Sequence, residues 1–314
     1  MPGAKNFPPE LKRRNRLTLL AFLGVIVLLA LTPLILRLLT RPIPTLSDSA
    51  RDLFPDKAGV TSGITLYAAA EAELTAAVGD MLVNYPFAVQ AVFPEAAKPI
   101  EIALLDDEVQ VRQVWIQVFG RDDRRPGVRG VGRATFVLYE TRVPAPIEVR
   151  AQAAEVAHFI GRALLEQKLE ERLRLVPEAY AWLVGEMMAV ALMPELVEQA
   201  WREYEQLRQS AEPMTEKGWL GAFAAEPGAM ARVTTRLIAA EFISSRRSHE
   251  MVALIRDGYD VETAFRAVAS GLVTSEAQAD NTPPQSVPGT SFDAMVERLE
   301  GKLVSRRARA GGGN

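Results

Sequence analysis

The chain has no cysteine in its 314 residues, and only two histidines, His158 and His249. The first absence excludes disulfides, thiolate metal sites, a nucleophilic thiol and iron–sulfur clusters together, and leaves the redox compartment undecided. An excess of charge of one sign is missing too. Lys and Arg number 36 against 39 Asp and Glu, a net charge of −3, so no bulk field favours a nucleic-acid partner. Nor is there a G-x-S-x-G elbow, a G-x-x-x-x-G-K-[ST] phosphate loop or a Gly-rich dinucleotide fingerprint. No cofactor is expected.

What is present begins with an apolar run. From Leu17 through Leu36 (LTLLAFLGVIVLLALTPLIL) twenty residues carry no charge. At helical rise they cross a hydrocarbon core of roughly 30 Å. Lys5, Lys12, Arg13, Arg14 and Arg16 precede the run, and Arg37 and Arg41 follow it. The positive-inside rule puts residues 1–16 in the cytoplasm, a transmembrane helix over 17–39, and the rest of the chain outside. A cleaved signal peptide is the rival reading, but its apolar region would be shorter and end at a small-x-small site. The lipid bilayer is thus the first expected partner, held through Leu17 to Leu36.

The remainder has the pattern of an α+β protein. A Pro-containing spacer is expected over 40–62. Strands follow at 63–67 (GITLY), 100–105 (IEIALL) and 133–140 (RATFVLYE), the last expected to be a sheet edge. Helices are expected at 68–92 and 109–119, with Asp106 or Asp107 capping the second. The basic loop 121–130 reads as solvated, because its aspartates dilute the field of its arginines. From Pro146 the pattern turns helical: 147–174, 177–193, a helix opening at Pro194, then 228–245, 248–257 and 260–269, the last capped by Asp260. The expectation is a small sheet of three strands or slightly more with helices, a mostly helical half, and one N-terminal transmembrane helix. The domain spans 63–276, with a polar linker at 277–290, a closing helix at 291–304 and a disordered tail at 305–314.

The first long helix of that half carries Ala157-His158-Phe159-Ile160-Gly161-Arg162-Ala163-Leu164-Leu165, and the next carries Trp182-Leu183-Val184-Gly185-Glu186. The pair resembles the core of the peptidase-MA-like gluzincins, zinc peptidases reading A-H-E-x-G-H-A-L-L and then W-L-x-E-G. The resemblance extends in order from Gly63 to Leu303, including Asp260-Val261-Glu262-Thr263-Ala264-Phe265-Arg266 and a closing helix from Phe292. It implies that His158 holds the first-ligand position. Phe159 then stands at the general base, Arg162 at the second ligand and Gly185 at the third, with Glu186 displaced by one.

These substitutions predict a site without catalytic or metal function. Arginine does not ligate, and one imidazole with Glu186 falls short of a four-coordinate zinc. Glu155 shares a face with His158, but a lone E-x-x-H pair does not make a di-iron site. His158 is then a structural remnant, and His249, beside Arg246 and Arg247, a surface residue. Two placements of Arg162 are open: its guanidinium replaces the metal by pairing with Glu186 or Glu155, or it snorkels to the surface. The cleft of Glu155, His158, Phe159, Arg162, Gly185 and Glu186 is expected to be vestigial. The protein is expected to act as a membrane-anchored, extracytoplasmic binding or scaffolding module, with a protein or peptide partner in the cleft. A hydrolase with a non-standard site and an accessory subunit of a membrane complex are the alternatives.

Overall fold

A computed structural model describes residues 57–61, 63–68, 72–93, 97–119, 129–141, 148–169, 176–223, 227–279 and 291–311. The chain divides into two units, Met1–Ile43 and Pro44–Asn314, and the described residues all belong to the second. The expected transmembrane helix and most of the spacer lie outside the described residues, as do the basic loop through Val128 and the linker beyond Ala279. Among the described residues no helix is long and apolar enough to cross a membrane.

The architecture is α+β, with eleven helices and one five-stranded mixed sheet among the described residues. The strands are β1 (Lys57–Thr61), β2 (Ile64–Ala68), β3 (Ile100–Leu105), β4 (Gly130–Arg133) and β5 (Phe136–Glu140), in the order β1-β2-β3-β5-β4. β2, β3 and β5 run parallel, and each edge is an antiparallel hairpin. Helices α1 (Ala72–Leu82) and α2 (Tyr85–Val92) cross over from β2 to β3, and α3 (Glu108–Phe119) leads from β3 toward β4. Successive side chains of a strand face opposite ways, so β3 and β5 supply two cores. Ile100, Ile102, Leu104, Val137 and Tyr139 meet Leu74, Val78 and Val89 on one face. Ala103, Leu105, Phe136 and Leu138 meet Val111, Val114 and Trp115 of α3 on the other. A strand buried on both faces reads as a near-continuous apolar run, as IEIALL does apart from Glu101. Of the two aspartates before α3, Asp107 makes the cap, accepting the Val109 N–H at 2.7 Å.

Four expectations need correction. The stretch 133–140 is not one edge strand. Arg133 ends β4 and pairs with Phe136, leaving Ala134 and Thr135 as a two-residue turn. Ala134 takes a positive φ of 31° there. The turn is held by the long helix beneath it: the Ala134 N–H donates to Glu166 at 3.1 Å, and its carbonyl accepts from Gln167. β5 is therefore interior, and β4, which starts at the last residue of the expected loop, is the edge. β1 occupies residues expected to be spacer, because an exposed edge strand such as KAGVT has no apolar alternation to reveal it. The helix expected at 68–92 is two helices, broken at Val83 and Asn84 with Pro86 in the first turn of the second.

The helical half comprises α4 (Val149–Leu169), α5 (Glu178–Leu192), α6 (Leu196–Leu207), α7 (Glu216–Ala222), α8 (Ala229–Ser244), α9 (Ser248–Arg256), α10 (Val261–Ala279) and α11 (Ser291–Gly311). Asp260 caps α10 as expected, accepting the Thr263 N–H at 2.9 Å. α7 has no counterpart among the expected elements. The fourth correction concerns α11, which continues well past Val304. Phe292 is fully buried and stacks on Trp219 at 4.8 Å. Arg298 and Lys302 hold the buried Glu241 of α8 at 3.1 and 2.6 Å. Arg306 and Arg307 then reach Glu198 and Glu205 of α6 at 2.6 and 2.8 Å. These contacts order residues up to Gly311 that composition alone assigns to a free tail.

Candidate functional site: a packed His–Glu–Arg cluster

The candidate site forms where α4 crosses α5. α4 is rich in Ala and buried on most of its circumference, between the sheet on one side and α5 on the other. Two glycines set the approach. A Cβ on Gly161 would stand 2.7 Å from the Met188 Cβ, and one on Gly185 would stand 2.5 Å from both Cε1 and Nδ1 of His158. The His158 imidazole therefore lies directly on the backbone of α5. Trp182, one turn earlier on that helix, packs on the ring at 4.4 Å between centroids, and Phe159 meets it edge-on at 5.5 Å.

Glu186, also on α5, is 3% exposed and brings Oε1 to 3.4 Å from His158 Nδ1. That separation is a polar contact without hydrogen-bond geometry, and neither imidazole nitrogen has a hydrogen-bond partner. Burial lowers the His158 pKa below its usual value, outweighing the pull of Glu186. The ring is neutral near pH 7. Glu186 goes the other way. Burial would raise its pKa, but the Arg236 charge overcomes that and brings it down to about 2. Arg236, from α8, binds the carboxylate through Nε to Oε2 at 2.7 Å. The sequence offered one signal for it: a charge set in the largely buried run Val233-Thr234-Thr235-Arg236-Leu237-Ile238.

Arg162 is elsewhere. Its guanidinium grips Glu178 at the start of α5, Nη2 to Oε2 being 3.1 Å, and both side chains are partly exposed. The expected pairing with Glu186 or Glu155 is therefore corrected. One helical turn beyond His158, Arg162 is past the buried crossing and meets the first carboxylate of the neighbouring helix. Glu155 instead accepts a hydrogen bond from the Tyr139 hydroxyl of β5. Burial, and then the Glu155 charge, raise the Tyr139 pKa.

Phe159 fills the space between this cluster and the sheet edge. Its ring lies 6.2 Å from Tyr139, and a Cβ on Gly130 would stand 2.6 Å from it. A Cβ on Gly132 would stand 1.9 Å from the Phe159 carbonyl oxygen. Gly130 and Gly132 are two apart, on one face of β4, so G-V-G is a footprint of α4 packing against the edge strand. The six expected cleft residues thus fall into three groups. His158, Phe159, Gly185 and Glu186 pack together, Arg162 ties α4 to the start of α5, and Glu155 sits at the rim with Tyr139.

The donor set does not fit a four-coordinate zinc. His158 and Glu186 supply two ligands, Arg236 already holds the carboxylate, and a guanidinium beside it repels a cation. Among the described residues no three His, Asp or Glu side chains converge as a metal group. An open groove of about 350 Å³ lies apart from the cluster, walled by Val190, Val197, Trp201 and Ile243. No family model, no curated protein and no solved structure matches the chain.

Proposed function

We propose that the protein is a membrane-anchored, extracytoplasmic module of peptidase-MA-like descent whose catalytic site is silent, and that it works by binding or scaffolding. The observation that carries the reading is the Arg236–Glu186 pair. A carboxylate on the helix after the His158 helix is the kind of group that a gluzincin offers to zinc, and here it is held by a permanent cation. Phe159 adds to this: at the position of the general base it offers an apolar ring, packed on the edge strand. The packed interior leaves the rim of the vestigial cleft, with Glu155, Arg162 and Glu178, as the surface that a protein or peptide partner meets.

Two measurements on the purified full chain test the reading. Zinc analysis is expected to return no stoichiometric metal, and unstructured peptides should remain intact. Stoichiometric zinc, together with peptide cleavage abolished in His158→Ala, would overturn it. The restoring variant is set by the geometry: Phe159→Glu, Arg162→His and Arg236→Leu, with Glu186 kept. Gly185→Glu is unsuitable because a side chain at 185 collides with the imidazole that must bind the metal.

A further inference from the structure

Val197 and Trp201 of α6 stand about one turn apart, as do Ala240 and Ile243 of α8, and such stripes ordinarily close fully on a core. Here the two stripes leave space between them. With Val190 and Pro194, at the end of α5 and just beyond it, they wall the open groove of about 350 Å³. Trp201 is buried, but Val197, Ala240 and Ile243 are only partly covered, and Pro194 is exposed. The volume lies at the lower end of the range for small-molecule sites, which are mostly apolar with a few placed polar groups. A single alkyl chain suits it better than the paired chains of a phospholipid.

The polar residues of the wall are Ser244, whose hydroxyl donates to the Glu241 carbonyl, and Glu241 itself. α11 passes beside them. Glu241 is buried and is held by Arg298 at 3.1 Å and Lys302 at 2.6 Å. Arg306 stands over the Trp201 ring, 5.3 Å from its centroid, and pairs with Glu198 at 2.6 Å. Arg298, Lys302 and Arg306 are spaced by four, so they form one row along α11. These pairs set three cations against two carboxylates and leave one positive charge beside an apolar groove. The outermost pair is the easiest to exchange. Arg306 and Glu198 are both exposed, and an ion pair in such surroundings contributes little.

We propose that this groove binds a free medium-chain fatty acid, its alkyl chain against Pro194, Val197 and Ile243 and its carboxylate at Lys302 and Arg306. A monoanion matches the single unbalanced charge, and one chain matches the volume. The groove shares no wall residue with the His158 cluster, so the assignment stands apart from the silent-site reading.

The test uses the purified full chain in phosphatidylcholine vesicles and a dodecanoate that carries a photoreactive diazirine near its chain end. Illumination is expected to label residues within 190–197 or 240–244. Excess dodecanoate should abolish the label, and dodecanol should compete several-fold less well. Val197→Trp, at a partly covered position, fills the groove and should remove the label. Lys302→Gln leaves Arg298 on Glu241; it should keep the label but bring dodecanoate and dodecanol close to equality. Arg307→Gln, whose partner Glu205 lies outside the groove wall, should change neither. Equal competition by dodecanol in the parent, or an unchanged preference in Lys302→Gln, overturns the anionic head. Absence of labelling, labelling elsewhere on the chain, or a label that survives excess dodecanoate or Val197→Trp overturns the site.

Discussion

Gly185→Ala tests the packing of the site with one methyl group. The new Cβ would stand 2.5 Å from Cε1 and Nδ1 of His158 and 2.9 Å from Cγ. Ordinary contact lies about 1 Å further out, and a planar ring fixed against Trp182 cannot swing aside as a flexible chain end can. Overpacking of this kind costs about 1–3 kcal/mol. Against it stands the helical gain from glycine to alanine, about 1 kcal/mol. The net change in the parent is expected to lie between about zero and 2 kcal/mol of destabilisation, depending on how far the ring yields. In a His158→Ala background the collision partner is gone, and the same substitution should stabilise by about 1 kcal/mol. The sign of the effect therefore reverses between backgrounds, with a coupling of about 1–3 kcal/mol, as expected for residues in contact. Urea unfolding of the full chain, followed by tryptophan fluorescence, measures both legs of the cycle. Equal effects in the two backgrounds would refute the placement of the imidazole on the α5 backbone.

Two further outcomes follow from the same geometry. Arg236→Met leaves Glu186 buried without its main partner; such losses run to about 3–5 kcal/mol, and the partial exposure of Arg236 points to the lower end. In the parent, Glu186 titrates near 2 rather than the usual 4.5, so its stabilising contribution is complete above pH 4.5 and is lost as pH falls toward 2. In the variant, burial prevails and the Glu186 pKa rises above 4.5, so stability should increase as pH falls from 7 toward 5 relative to the parent; unchanged pH profiles in urea melts would contradict the pairing. Glycine substitutions should split by environment. Gly132→Ala meets the Phe159 carbonyl at 1.9 Å, backbone that cannot rotate away, and should cost about 3 kcal/mol or more. Gly79→Ala, with no atom within 4 Å in the middle of α1, should gain up to about 1 kcal/mol, and thermal melts of the pair would expose a misplaced β4.

Elements that bury themselves on short-range pattern were legible in the sequence. IEIALL, the α4 and α5 helices and the Asp260 cap all stand within a few residues of their expected places. What escaped depends on contacts between distant residues. Ala134 and Thr135 have nothing that forbids a strand, and only Glu166 and Gln167 of α4, more than thirty residues on, turn the chain there. The helical tail beyond Val304 is polar and looks free until Glu198 and Glu205, about a hundred residues earlier, are placed beside Arg306 and Arg307. The partner of Arg162 is hidden for the same reason. Helical spacing places it near the face of His158, but whether it meets Glu178 or Glu186 depends on how α5 crosses α4, and the two glycines decide that.

The electrostatics of the cluster bear on the silent-site proposal independently of ligand number. A general base at neutral pH works best with a pKa near the working pH, and enzymes use burial and neighbouring charge to bring carboxylates up and other groups down toward it. Here the same two forces act in the opposite sense. Arg236 drives Glu186 to about 2, where it is a poor proton acceptor. Burial lowers the His158 pKa and Arg162 and Arg236 add to the shift, so that the imidazole is uncharged, and its contact with Glu186 lacks hydrogen-bond geometry. The His–Glu contact therefore has its two pKa values held away from neutrality, that of His158 chiefly by burial and that of Glu186 by a cation that does not dissociate. That cation arrives from α8, fifty residues beyond Glu186. The missing side chains of Gly130, Gly132, Gly161 and Gly185 allow the two helices and the edge strand to close on one another.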